Sequence, residues 1–199
     1  LRGDDRHGRG PVVVCVDGSG SMSGGRELWA KAVALALLEI ARRQGRKARA
    51  IVFSGPESAL SEFDLTRSGR LRGRSQVDLD AVIRLAECFP GGGTDFEKPL
   101  RGALEAVREH SLQGADVVFI TDGEATISDA FAQELRREKK KRDLEIFAVL
   151  VDDPQPTRNT ARGDDPMARA ARELGKVADR MTTVTELTSE AARELFRGI

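Results

Sequence analysis

Two cysteines, two histidines and no net charge set the first bounds on this sequence. Cys15 and Cys88 are too few to staple a small domain with disulfides. Both lie in apolar segments and read as buried free thiols of a reducing compartment. His7 and His110 are far from them and from each other, and the four residues match no zinc-ligand spacing. Lys plus Arg is 32 and Asp plus Glu is 32, a balance that speaks against a dedicated nucleic-acid binder or a binder of anionic membranes. No apolar run is long enough to span a bilayer; the longest, around Ala32–Ala41, is interrupted by Glu39. There is no signal-peptide pattern, internal repeat or low-complexity tract. There is also no Gly-x-Ser-x-Gly elbow and no P-loop Gly-Lys-Ser/Thr.

What is present is an ordinary globular composition over 199 residues, 40% hydrophobic and 32% charged, enough for one real core. We read residues 1–10 as a polar lead segment and 11–199 as a single domain. The chain starts at Leu1 and not at Met, so it reads as a piece of a longer protein.

Hydrophobic patterning alternates between two periods. Val12-Val13-Val14-Cys15-Val16 is a β-branched run suited to a strand buried on both faces; 117–120 reads as another buried strand, and 49–53 and 146–151 as further strands. Residues 59–65 suit a short edge strand. Between these lie helical patterns. One spans 26–43 and, with Leu28, Trp29, Val33, Leu35, Ala36, Leu37 and Ile40, should be largely buried. Another is capped by Ser75 and carries Leu79, Val82, Ile83 and Ala86. A third carries Leu100, Ala103, Leu104 and Val107, and a fourth is capped by Ser128. Residues 152–166 read as a loop with three prolines. A helix near 167–174, a strand near 181–184 and a helix near 189–196 close the chain. Repeated β-α-β units predict an α/β fold, a mostly parallel sheet with helices on both faces.

Three polar segments follow fitting elements. Asp17-Gly18-Ser19-Gly20-Ser21 comes directly after the first strand. Gly93-Thr94-Asp95 lies in a glycine loop, and Thr121-Asp122-Gly123 follows another buried strand. Each alone is an ordinary turn. Ligand sites in open α/β sheets form at the carboxyl ends of strands, where the strand order reverses, and the three could converge there. Asp17, Ser19, Ser21, Thr94 and Asp122 offer only carboxylate and hydroxyl oxygens. That set suits a hard cation: Mg²⁺, Mn²⁺ or Ca²⁺. Two carboxylates at most neutralise a divalent ion, so an open coordination position would attract a carboxylate from outside.

These residues resemble the metal-ion-dependent adhesion site of von Willebrand factor type A domains, whose motif is Asp-x-Ser-x-Ser, then a Thr, then an Asp. The resemblance runs from Val12 to the last helix. Residues 14–22, 91–95 and 120–124 are similar to the intracellular prokaryotic branch that includes ViaA-like and CoxE-like proteins. It implies a Rossmann-like fold, a central mostly parallel sheet with one antiparallel edge strand. It implies that Ser19, Ser21 and Thr94 touch the ion, that Asp17 and Asp122 act partly through water, and that Asp95 supports them from behind. It further implies a cytoplasmic, non-enzymatic module that binds an acidic protein partner, in some members together with a MoxR-type AAA+ ATPase. Neither nucleic acid nor membrane is an expected partner. Two other readings stay open: a metal-dependent hydrolase or phosphatase acting through the same cation, and a structural protein with no metal.

Weaker signals are Arg2-Gly3-Asp4 and Arg162-Gly163-Asp164, which a chain rich in these residues produces by chance, and the basic cluster Arg136–Arg142, which suits a helix C-terminus and a solvated surface.

Overall fold

The computed structural model describes residues 10–68, 75–109, 112–152 and 166–185. Six strands form one sheet: β1 (Val12–Asp17), β2 (Ala48–Phe53), β3 (Ser61–Asp64), β6 (Asp116–Thr121), β7 (Ile146–Val151) and β8 (Arg180–Val184). Their spatial order is β3-β2-β1-β6-β7-β8. All neighbours pair in parallel except β2 and β3, so β3 is the antiparallel edge strand. A separate two-stranded antiparallel ribbon joins β4 (Thr66–Ser68) to β5 (Ser75–Val77). Five helices complete the described chain: α1 (Gly25–Arg43), α2 (Leu79–Glu87), α3 (Glu97–Arg108), α4 (Asp129–Arg142) and α5 (Pro166–Leu174).

The continuous apolar strands explain the two-sided architecture. Side chains alternate across a strand. Val13 and Cys15 of β1 therefore join a cluster with residues of α3, α4 and α5. Val12, Val14 and Val16 join a cluster with Trp29, Val33 and Leu37 of α1 and Leu85 of α2. On the first face Phe119 is the hub: its ring lies 5.0 Å from Phe53 and 5.4 Å, edge-on, from Phe96, geometries that aromatic pairs favour.

Chain order sets the functional rim. From β1 the chain runs outward through α1 to β2 and β3, then returns to place β6 on the other side of β1. The reversal lies between β1 and β6, where doubly wound sheets open a crevice at the strands' carboxyl ends. Asp17 ends β1 and Thr121 ends β6.

Several local expectations need correction. Ser75 does not cap α2; it pairs with Ser68 in the ribbon. Asp78 is the cap, its side chain accepting from the Ala81 amide at 3.2 Å, a role for which Asp is as well suited as Ser. Helix α1 is not buried all round. Trp29, Ala30, Val33, Ala34, Leu37, Leu38 and Ala41 form its inner stripe, whereas Leu28 is 72% exposed and Leu35, Ala36 and Ile40 are half-buried. Cys15 is a buried free thiol as expected, but Cys88 is only partly buried. The basic cluster on α4 is not merely solvated. Arg136 Nε donates to the Lys176 carbonyl and Lys139 donates to the Val177 carbonyl, tying α4 to the turn after α5. The lead residues 1–9, both Arg-Gly-Asp tripeptides, His110, most of the 152–166 loop and the 189–196 helix lie outside the described residues.

Candidate metal centre

Asp17 is the anchor. It is fully buried, and both carboxylate oxygens are engaged: Oδ1 accepts from the Ser19 amide at 2.8 Å, and Oδ2 accepts from the Thr121 hydroxyl. Thr121 Oγ1 in turn accepts from the Gly123 amide at 3.0 Å. One threonine thus joins the loop after β1 to the loop after β6.

The residues after Asp17 curl into a short 3-10 turn, Gly20–Met22, with the Met22 side chain driven into the core. This turn brings the Ser19 and Ser21 hydroxyls to 3.1 Å from each other. Ser21 Oγ also donates to Asp122 Oδ1 at 2.7 Å. The glycine loop is laced to the same turn: the Gly20 amide donates to the Gly92 carbonyl and the Gly91 amide to the Gly18 carbonyl, both at 2.9 Å. Gly91 and Gly92 have φ of 66° and 86°, a region L side chains rarely adopt. At Gly123 the constraint is space, because a Cβ there would stand 2.7 Å from Thr94 Oγ1. That close approach puts the Thr94 hydroxyl beside the Asp122–Gly123 backbone.

Four of the five expected ligands therefore form one connected chain, Asp17–Ser19–Ser21–Asp122, through side-chain and backbone hydrogen bonds, and Thr94 joins through its contact with Gly123. Asp95 does something more local. Its amide donates to the Ser54 carbonyl at 3.0 Å, and its Oδ1 accepts from the Lys98 amide at 3.1 Å, bracing the start of α3.

Three residues at this rim were not singled out from the sequence. The sequence marks Thr121 only as the neighbour of Asp122; a hydroxyl ending a strand adjacent to the one that ends in Asp17 is the available signal. Ser54, just after β2, is buried, and its Oγ has no hydrogen-bond partner among the described residues. Arg26, in the first turn of α1, donates from Nη1 to Asp122 Oδ2 at 2.7 Å and to the Ser21 carbonyl at 2.8 Å. Nothing local in the sequence marks either of the last two.

Burial pushes the Asp17 carboxyl up to about 6, with the nearby Asp122 charge adding to the rise; hydrogen bonds from Thr121 and Ser19 oppose it. A carboxylate held out of water in this way gains from a neighbouring cation. The donor set fits a small hard ion. An octahedral Mg²⁺ with ligands about 2.0–2.1 Å away spaces adjacent oxygens by about 2.9 Å. The separations Ser19 Oγ–Ser21 Oγ (3.1 Å) and Ser21 Oγ–Asp122 Oδ1 (2.7 Å) bracket that value. Among the described residues there is no group of three or more His, Cys, Asp or Glu that could hold a metal, so any ion here relies on hydroxyls for much of its coordination.

Comparison with known proteins agrees with this architecture. Residues 12–124 match the von Willebrand factor type A domain family. An uncharacterized protein of Methanocaldococcus jannaschii, MJ0077, is 33% identical over 187 residues, covering 94% of this chain and 41% of that protein. Regulatory protein ViaA of Edwardsiella ictaluri is 32% identical over 146 residues, covering 73% of this chain and 28% of ViaA. The chain thus spans less than half the length of these relatives. Among solved structures, the conserved hypothetical protein BatB of Bacteroides thetaiotaomicron superposes with a TM-score of 0.64 at 18% identity, over 94% of this chain and 96% of that one. Proximal thread matrix protein 1 from the mussel byssus, with a zinc-occupied metal-ion-dependent adhesion site, gives 0.58 at 16% identity, over 94% of this chain and 46% of that one. These two likenesses concern the fold alone. With more than half of its residues matched by the family and a mostly parallel sheet with one antiparallel edge strand, the chain belongs to the von Willebrand factor type A domain family.

Proposed function

We propose that this domain is a protein-binding module that holds one divalent cation, Mg²⁺ in the first instance with Mn²⁺ or Ca²⁺ as substitutes, on Asp17, Ser19, Ser21, Thr94 and Asp122. Asp95 steadies the glycine loop from the side of α3. The observation that carries the reading is the hydroxyl–hydroxyl–carboxylate run Ser19–Ser21–Asp122, spaced at 3.1 and 2.7 Å on the rim between β1 and β6. Bound there, the ion would act as a Lewis acid with a position open to an acidic side chain of a partner protein.

The chain's own residues prepare that role. Thr121 and the Ser19 amide hold Asp17 in one orientation. The glycine loop lets Thr94 approach. Likeness to a protein named for regulation, and in fold to one that holds zinc in its own adhesion site, supports cation-dependent partner binding. A MoxR-type AAA+ ATPase and a cytoplasmic setting are the partner and location that the resemblance to the ViaA-like and CoxE-like branch suggests. No described helix is long and apolar enough to cross a membrane. The two aspartates are already committed to the binding frame, which favours binding over hydrolysis.

The experiment is a thermal melt in EDTA and across Mg²⁺ and Mn²⁺ titrations, for the wild type and Asp17→Ala. A ligand at a hundred times its dissociation constant stabilises the native state by about 2.7 kcal/mol, a shift of roughly 5–10 °C for a domain of this size. A saturating shift in the wild type that Asp17→Ala lacks is expected. No shift in either protein would remove the proposal's main support. Turnover of a phosphoester with Mg²⁺, abolished by Asp17→Ala, would favour the hydrolase instead.

A further inference from the structure

Arg26 is the second residue of α1. A cation in the first turn of a helix faces the positive end of the helix dipole, an unfavourable place for it. Something must hold it there, and two of its contacts lie among the described residues. Nη1 donates to Asp122 Oδ2 at 2.7 Å and to the Ser21 carbonyl at 2.8 Å. The pair is well shielded, with side-chain exposures of 13% for Arg26 and 2% for Asp122. Asp122 therefore spends one oxygen on the Ser21 hydroxyl and the other on a guanidinium.

We propose that Arg26 is a built-in rival of the divalent cation: its guanidinium neutralises Asp122 in the metal-free protein and so sets how strongly the centre binds the ion. The inference rests on the metal-centre reading above. Asp17 and Asp122 bring two negative charges when ionised, and Arg26, protonated at any physiological pH, brings one positive charge beside them. Counting the described residues, a divalent ion entering the centre meets a net charge near −1 where it would meet −2 without Arg26. In a shielded site that difference is weakly screened. The ion's pull on Asp122 also competes with a charge-assisted hydrogen bond, one of the stronger kinds. The same positive charge changes sign in effect once the ion is bound. Ion and guanidinium together then leave the centre net positive, a field that attracts a carboxylate from outside. Arg26 thus trades affinity for the ion against affinity for an acidic partner.

The test is direct cation binding, Mg²⁺ by calorimetry and Mn²⁺ by electron paramagnetic resonance, at one fixed low ionic strength. The proteins are the wild type, Arg26→Gln, Arg26→Lys and Arg42→Gln. Arg42 sits in the last turn of the same helix, paired with exposed Glu39, and controls for overall charge. Arg26→Gln should bind both ions at least about tenfold more tightly, and saturating Mg²⁺ should raise its melting temperature by more than it raises the wild type's. Arg26→Lys, which keeps the charge but loses the guanidinium fork, should lie between the two, and Arg42→Gln should match the wild type. Should Arg26→Gln fold poorly, Arg26→Lys against the wild type decides. Unchanged or weaker cation binding in a folded Arg26 variant overturns the proposal and makes Arg26 a brace that holds Asp122 for the ion. Equal tightening in Arg42→Gln also overturns it, since the effect is then one of total charge. If none of the four proteins binds either ion, the metal-centre reading itself falls, and this inference falls with it.

Discussion

The Thr121 hydroxyl, at the end of β6, donates to the Asp17 carboxylate at the end of β1, 104 positions earlier in the chain. Parallel pairing of β1 with β6 brings the two strand ends side by side. The bond joins two of the three polar loops at a fully buried point, so it serves both the fold and the proposed cation.

Replacing Thr121 with Val keeps the shape and removes the hydroxyl. Hydrogen bonds to charged groups are worth about 1.5–3 kcal/mol, so Thr121→Val should lower the unfolding free energy in EDTA by about that amount. It should also weaken Mg²⁺ binding, because Asp17 loses the bond that orients it. Chemical denaturation and a Mg²⁺ titration measure the two effects. A variant as stable as the wild type would mean that the bond contributes nothing net.

The buried Asp17 carboxyl gives the metal-free protein a particular pH dependence. Its folded value is pushed up to about 6 from an ordinary 3.8. Below pH 4 the group is protonated in both folded and unfolded chains. Between 4 and 6 the folded chain keeps the proton and the unfolded chain loses it, so this group's contribution to stability falls as pH rises. A shift of this size corresponds to about 3 kcal/mol across the window. In EDTA, Asp17→Asn should therefore gain on the wild type by up to about 3 kcal/mol between pH 4 and 6.5. Urea unfolding at a series of pH values checks it, and a pH-independent difference would show that Asp17 titrates normally.

Gly123→Ala places a methyl group where only 2.7 Å separates it from Thr94 Oγ1. Overpacking of this kind costs about 1–3 kcal/mol. Thr94 should be displaced from the rim, and cation affinity should fall together with stability. Calorimetry alongside a melt separates the two; intact cation binding would mean that Thr94 is not a ligand.

Val14→Asp tests the frame beneath the site. Val14 is 1% exposed in the cluster under α1. An unpaired charge there should cost several kcal/mol and broaden or abolish the cooperative melt. A silent substitution would contradict a strand buried on both faces.

The sequence by itself determined the elements. The apolar runs 12–16, 117–120 and 146–151 suit strands buried on both faces, and each became a parallel strand. The candidate ligands Asp17, Ser19, Ser21 and Asp122 were legible because serine and aspartate beside glycine at the ends of such strands have few structural reasons to recur in that order, and Thr94 because a glycine loop precedes it. Local cues misled where two segments compete for one residue. Ser75 has a good capping side chain, yet pairing with Ser68 claimed it and left the cap to Asp78. Only the tertiary structure decided what surrounds the candidate ligands. Arg26 meets Asp122 across 96 positions, Thr121 meets Asp17 across 104, and Ser54 is left buried without a partner among the described residues. Hydrophobic period reports which face of an element is buried. It carries no information about which strand ends become neighbours, and it is that adjacency, set by the strand order, that brings these charges and hydroxyls together.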